Sequence, residues 1–168
     1  QTMLHTYHSR MEQSLRTTLL QSCLGVICLF MSSAVYGQQD CFDAISVCSN
    51  TYVQNTSFSG FGASQEVQPG VNCLGNGESN SVWYIFTVTS PGTLEFQLEP
   101  INPNDDYDFA LYNLTNDSCS GIAAGVSSPV SCNYSSDPGA TGISPLGSNS
   151  NNGSSGENQN ELINVQAA

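Results

Sequence analysis

From Thr17 to Ala168 the chain contains no lysine, no arginine and no histidine. Its two arginines, Arg10 and Arg16, and its two histidines, His5 and His8, all precede an apolar stretch near the N-terminus. Of the 14 acidic residues, all but Glu12 follow that stretch, from Asp40 to Glu161. A fold made from such a chain cannot balance a buried carboxylate with an ion pair. Backbone donors, a proton or a metal cation must do it instead. The same absence removes whole classes of chemistry. There is no imidazole to act as a base, no lysine for a Schiff base and no arginine to clamp a phosphate. Ser-His-Asp and Cys-His catalysis are excluded. Nucleic acid is excluded as a partner, and anionic lipid is disfavoured, because nothing neutralises a phosphate. Carboxylates, amides, hydroxyls and carbonyls remain, which are the ligands of hard cations and of Ca²⁺ above all.

The segment LLQSCLGVICLFMSSAVY, Leu19 to Tyr36, has a compact apolar centre from Cys23 to Met31. That is short for a membrane span, which needs ~20 apolar residues. With Arg10 and Arg16 ahead of it and small residues behind, it reads as a secretory signal cleaved before Val35 or Gln38. The expected layout is therefore an N-terminal extension and signal over residues 1–37, then one domain over residues 38–168. Met11 is a plausible start. The exported part is expected to be secreted or held at a cell surface, with no membrane contact once the signal is removed. It keeps Cys41, Cys48, Cys73, Cys119 and Cys132. Zinc spacing is absent and no histidine can join a site, so disulfides are the expectation. Five is odd, which leaves one thiol over. Cys119 with Cys132 is the first choice, closing a loop worth ~3 kcal/mol in the chain-entropy model. Cys48 with Cys73 is the second, and Cys41 with Cys48 competes with it.

Strand signals fill the middle of the chain. Ser81 to Thr89 is aromatic and β-branched, and Thr93 to Glu99 alternates strictly. With Ser90-Pro91-Gly92 between them, the two segments predict a hairpin. Tyr107 to Asn113 also alternates, and Thr51–Gln54, Val130–Tyr134 and Leu162–Gln166 are weaker candidates. Ser118 to Gly125 allows one helical turn. The fold class expected is all-β, an antiparallel β-sandwich, with Trp83, Ile85, Phe96, Leu98, Phe109 and Leu111 at the centre of one core. Residues 144–160 are polar and read as a flexible loop. The apolar run from Leu162 reads as a strand beginning near the chain end, so a sandwich truncated at its C-terminal side is expected.

The sharpest candidate site is the turn Asn102 to Asp108. Asn104, Asp106 and Asp108 sit at alternate positions, as oxygen ligands of Ca²⁺ do. Glu78, in the loop before the Trp83 strand, is the candidate remote ligand. The alternative is an Asx-rich turn that caps its own backbone. Asp105, Asp106, Asp108 and Glu78 can also be read as a glycosidase carboxylate pair, but nothing fixes the required separation. Tyr84 and Tyr112 are candidate outward-facing platforms for sugars.

Three stretches, CFDAISVCSNTYVQNTSFSGFG, CLGNGESNSVWYIFT and NPNDDYDFALYNLT, resemble a module of large secreted and gliding-motility-associated surface proteins of Bacteroidetes-type bacteria. More broadly the chain resembles the bacterial pre-peptidase C-terminal domain and the CUB domain. The resemblance implies a jelly-roll or CUB-like sandwich, type IX secretion of the whole protein, and an Asp-rich turn able to bind Ca²⁺. It implies no enzyme activity. The expected function is a structural or adhesive surface module, its partners being other domains of the same protein and a surface glycan or protein. The competing expectation is an accessory domain of a secreted hydrolase, binding glycan or assisting export.

Overall fold

A computed structural model describes residues 37–71 and 73–168. The signal segment and its cleavage sites lie outside the described residues. The fold is all-β, with ten short strands and a single α-helical turn among the described residues. Strands β1 (Ile45–Ser46) and β2 (Tyr84–Ile85) pair in parallel. Strand β3 (Gly92–Leu94) pairs antiparallel with β10 (Ile163–Val165). A three-stranded sheet has the order β4 (Phe96–Leu98), β7 (Thr141–Ile143), β9 (Gln159–Asn160). A second has the order β5 (Phe109–Leu111), β6 (Ser131–Asn133), β8 (Asn151–Asn152). In both sheets the first pair is antiparallel and the second parallel. The helical turn α1 (Cys119–Ala123) falls where the sequence allowed it. Ser118 caps it, its hydroxyl accepting from Gly121 N at 3.3 Å, and so satisfies an otherwise orphaned donor.

The alternation from Leu94 to Glu99 is realised: Leu94, Phe96 and Leu98 are half-buried, while Glu95, Gln97 and Glu99 are exposed. The predicted hairpin is not. The chain only bends at Ser90-Pro91, with Ala168 N donating to Val88 O at 3.0 Å so that residues 88–94 run on beside the last strand; β3 pairs with β10 and β4 with β7. The Leu94-Phe96-Leu98 stripe is apolar on one face only, and it finds Phe109, Leu111, Ile143 and Ile163 there. Thr51–Gln54 carries no strand.

The expected single core is two clusters on opposite faces of β5. Phe109 and Leu111 join Ile143, with Phe96 and Leu98 packed against them. Phe96 and Phe109 meet edge to face at 5.2 Å, a favourable aromatic geometry. Ala110 and Tyr112 face the other way, toward Trp83, Val67, Ile122 and the Cys41–Cys119 disulfide. That alternation is the period-two pleat of a strand buried on both sides.

The cysteine pairing differs from every expected pair. Cys41 joins Cys119 with Cα atoms 5.6 Å apart, Cys73 joins Cys132 at 6.0 Å, and Cys48 is free and exposed. Cys119 and Cys132 are close in sequence but are engaged by different partners: the first opens α1 in the cluster beneath Trp83, the second lies in the middle of β6. The odd thiol that the count required is Cys48.

The segment 144–160, expected as a flexible loop, contains β8 and β9 and ends in a buried hub. Asn160 is fully buried. Its amide nitrogen donates to Ser131 Oγ at 2.7 Å, Ser150 O at 2.8 Å and Cys132 O at 3.0 Å. Its oxygen accepts from Asn133 at 2.8 Å and Asn152 at 2.9 Å. A residue of β9 thereby ties its own sheet to β6 and β8.

Candidate functional site

Three acids, Asp40, Glu66 and Glu78, are buried with 8, 3 and 5 % of their surface exposed. No basic side chain exists in the described residues to pair with them. Backbone donors take that place. Asp40 Oδ1 accepts from Ser64 N at 2.8 Å, and both its oxygens accept from Ala63 N at 3.1 Å. Glu66 Oε1 accepts from Cys41 N at 3.1 Å. Glu78 Oε2 accepts from Glu66 N at 2.9 Å, and its Oε1 from the indole Nε1 of Trp83 at 2.9 Å. The three carboxylates thus bind the segment Asp40–Cys41 to the loop 63–67 and that loop to the Trp83 strand.

Local sequence makes the arrangement possible. Gly77 has φ +72° and donates to Leu74 O at 2.8 Å, closing the turn that delivers Glu78. A Cβ there would sit 2.7 Å from Val67 O, so only glycine fits. Gly62, at φ +82°, lets the backbone approach Asp40, where a Cβ would lie 2.9 Å from both carboxylate oxygens.

The electrostatics are one-sided. Burial, then the charges of Glu78 and Asp40, push the Glu66 carboxyl up to about 7, against the opposing effect of the Cys41 N–H. Burial also raises Glu78, against the donors from Trp83 and the backbone. Glu66 Oε2 is buried and has no hydrogen-bond partner. Asp40 and Glu66 were not singled out in the sequence; the only signal for them was the absence of bases, which leaves any buried acid to backbone donors.

Glu78, expected as a remote Ca²⁺ ligand, is instead committed to this structural network. The Asn102–Asp108 turn is closed on itself. Asn102 Oδ1 accepts from Asn104 N and Nδ2, both at 3.2 Å, and Asn102 Nδ2 donates to Asp105 Oδ1 at 3.0 Å. Asn102 is thus the Asx-turn residue, its side chain capping Asn104 N. Asp106 and Asp108 are exposed neighbours. Desolvation by the surrounding protein, then the Asp106 charge, pushes Asp108 up to about 7; desolvation and then Asp137 raise Asp106. Among the described residues no group of three or more His, Cys, Asp or Glu side chains is arranged to hold a metal. Glu78 therefore does not join Asp106 and Asp108 in such a group.

Tyr84 and Tyr112 are no sugar platforms. Both are buried, Tyr84 donating to Gln54 Oε1 at 3.0 Å and Tyr112 tilted against Trp83 with centroids 6.0 Å apart. A surface groove of about 320 Å³ runs beside β10, lined by residues such as Val88, Leu94, Leu111, Val130 and Ile163, and no acidic or basic side chain lines it. No described helix is long and apolar enough to cross a membrane.

Trp83→Phe separates packing from hydrogen bonding. The ring volume is largely kept, but Glu78 Oε1 loses its donor inside the fold. The expected cost is about 2 kcal/mol, the range for a hydrogen bond to a charged group, read from urea unfolding by circular dichroism.

No protein-family model, curated protein or solved structure matches the chain.

Proposed function

We propose that this chain is a non-catalytic extracellular module, structural or adhesive, of a larger surface protein, built as a disulfide-stapled β-sandwich. The observation that carries the reading is where the acids are spent. The buried carboxylates accept from backbone donors, and among the described residues no base stands beside any acid. Two disulfides across long loops support an oxidising compartment. The resemblance to Bacteroidetes-type surface modules supports the same location. The groove beside β10 has a neutral lining, which suits another protein segment better than a charged substrate.

The test is export of the whole chain from a bacterial host. Its binding to intact cells and to surface polysaccharides is measured beside panels of glycosidase and peptidase substrates. Retention at the surface without turnover is the expected result. Turnover abolished by Asp108→Asn or Glu66→Gln would overturn the reading. Saturable polysaccharide binding would move it toward the accessory-domain alternative.

Ca²⁺ has no part in this proposal, because Glu78 is engaged by Trp83 and the backbone. Ca²⁺ is therefore expected to raise the melting temperature no more than Na⁺ at equal ionic strength, both acting by screening the acids. A shift specific to Ca²⁺ and lost in Asp106→Asn with Asp108→Asn would show a site at that turn.

A further inference from the structure

We propose that Glu66 and Glu78 form a proton-operated lock that fastens the loop 63–67 in acid to the segment Gln39–Cys41, which the Cys41–Cys119 disulfide holds in place, and loosens that loop as the pH rises through neutrality. The geometry supplies both states. In the locked state Glu66 receives Cys41 N, Glu78 receives Glu66 N, and Asp40 receives Ala63 and Ser64 N. Gln39 adds two donations from its side chain, to Ser59 O and Gly60 O, both at 3.2 Å. These bonds fasten 39–41 to the loops 59–67, while Gln38 O accepts from Trp83 N at 3.0 Å.

Glu66 Oε2 is the weak point: it is buried and has no donor. A proton on that oxygen removes the cost of a bare buried charge. Without the proton, the charge faces Glu78 from the Trp83 side and Asp40 from the N-terminal segment, both acids. The remaining titratable neighbour is the Tyr112 hydroxyl, raised by burial and then by the Glu78 charge. Among the described residues no cation reaches the cluster, because residues 37–168 contain no basic side chain. The route to solvating an ionised Glu66 is local opening of the loop that carries it.

The direction follows from proton counting. The folded Glu66 titrates near 7 and the unfolded one near its ordinary 4.5. Between those values the folded state holds a proton that the unfolded state has released. The contribution is fully present below the unfolded value and is lost as the pH rises through the folded one.

Trp83, the sole tryptophan, donates to Glu78 and reports the state of the cluster directly. On the full chain with its disulfides intact, its fluorescence is expected to titrate with a midpoint near neutrality, and the midpoint persists in high salt, which screens exposed acids but not buried ones. Amide-exchange protection, corrected for the intrinsic pH dependence of exchange, is expected to fall at least tenfold between acid and mildly alkaline pH at Cys41, Ala63 and Ser64. Protection at Ala110 and Cys132 is expected to hold. Glu66→Gln keeps an acceptor for Cys41 N without a titrating proton, and both responses should flatten. A fluorescence transition unchanged in Glu66→Gln, or absent from the unsubstituted chain, would overturn the proposal. If Glu66→Gln does not fold, carboxyl-carbon NMR of the unsubstituted chain decides instead. A Glu66 carboxyl titrating in the ordinary acidic range sinks the lock.

Discussion

Replacing Cys41 and Cys119 together by serine is expected to bring this domain to the edge of unfolding. The bridge closes a separation of 78 residues, which in the chain-entropy model removes about 4–5 kcal/mol of freedom from the unfolded chain. A domain of this size has only ~5–15 kcal/mol in total. The loss is compounded locally, because the bridge lies in the cluster with Trp83, Tyr112 and Ile122. Cys73 with Cys132, separated by 59 residues, should cost about 4 kcal/mol, and reduction of both should leave no cooperative transition. Cys48→Ser is the control: the residue is exposed and free, and its replacement should lie within about 0.5 kcal/mol of zero. Urea unfolding followed at Trp83 measures all three. A loss below about 1 kcal/mol for the first pair would contradict the pairing.

Asn160→Ala is expected to be nearly as damaging, although it removes only a small polar side chain. Five groups lose a hydrogen bond at once: Ser131 Oγ, the carbonyls of Cys132 and Ser150, and the amides of Asn133 and Asn152. Each hydrogen bond is worth about 1 kcal/mol net, and the partners that Ser131, Ser150, Asn133 and Asn152 retain offset part of the sum. The expected loss is about 3–5 kcal/mol in chemical denaturation, with faster exchange on β6 and β8. Asn160→Asp should be no better. A carboxylate keeps the acceptor but gives up the three donations, and it adds a charge with no base to meet it.

These two sites mark where the sequence was and was not legible. The fold class was legible because strand alternation is local: Leu94 to Glu99 and Tyr107 to Asn113 each announce a face. Partner choice was not local. Ser90-Pro91-Gly92 signals a turn, but the structure makes only a bend there, and which strands pair is settled by residues as distant as Ile143 and Ile163. The segment 144–160 misled for a related reason. Asparagine and serine are loop residues by propensity, and only a closed network such as the one around Asn160 makes them core residues. Disulfide pairing was illegible because chain proximity, the one criterion available, does not report spatial proximity. Glu78 was noticed in the sequence, and the structure shows it accepting from Trp83 and the backbone. Its nearness in sequence to Trp83 mattered, but as an acceptor for the indole and not as a ligand for a cation. In the Asn102–Asp108 turn the Asn102 side chain caps the backbone of Asn104.

The pairing of the cysteines also sets a problem of timing. In a chain that emerges from its N-terminus, Cys41 is the first of the described cysteines to arrive and meets Cys48, then Cys73, long before Cys119 exists to receive it. Its native partner comes 78 residues later, and the two competitors are already present. Oxidation that outruns synthesis therefore captures Cys41 in the wrong bond, and thiol exchange must undo it. Cys48, exposed and unpaired in the finished domain, is well placed as both the decoy and the thiolate that reverses the error. The yield of native protein should then depend less on the stability of the fold than on the order in which its thiols are oxidised.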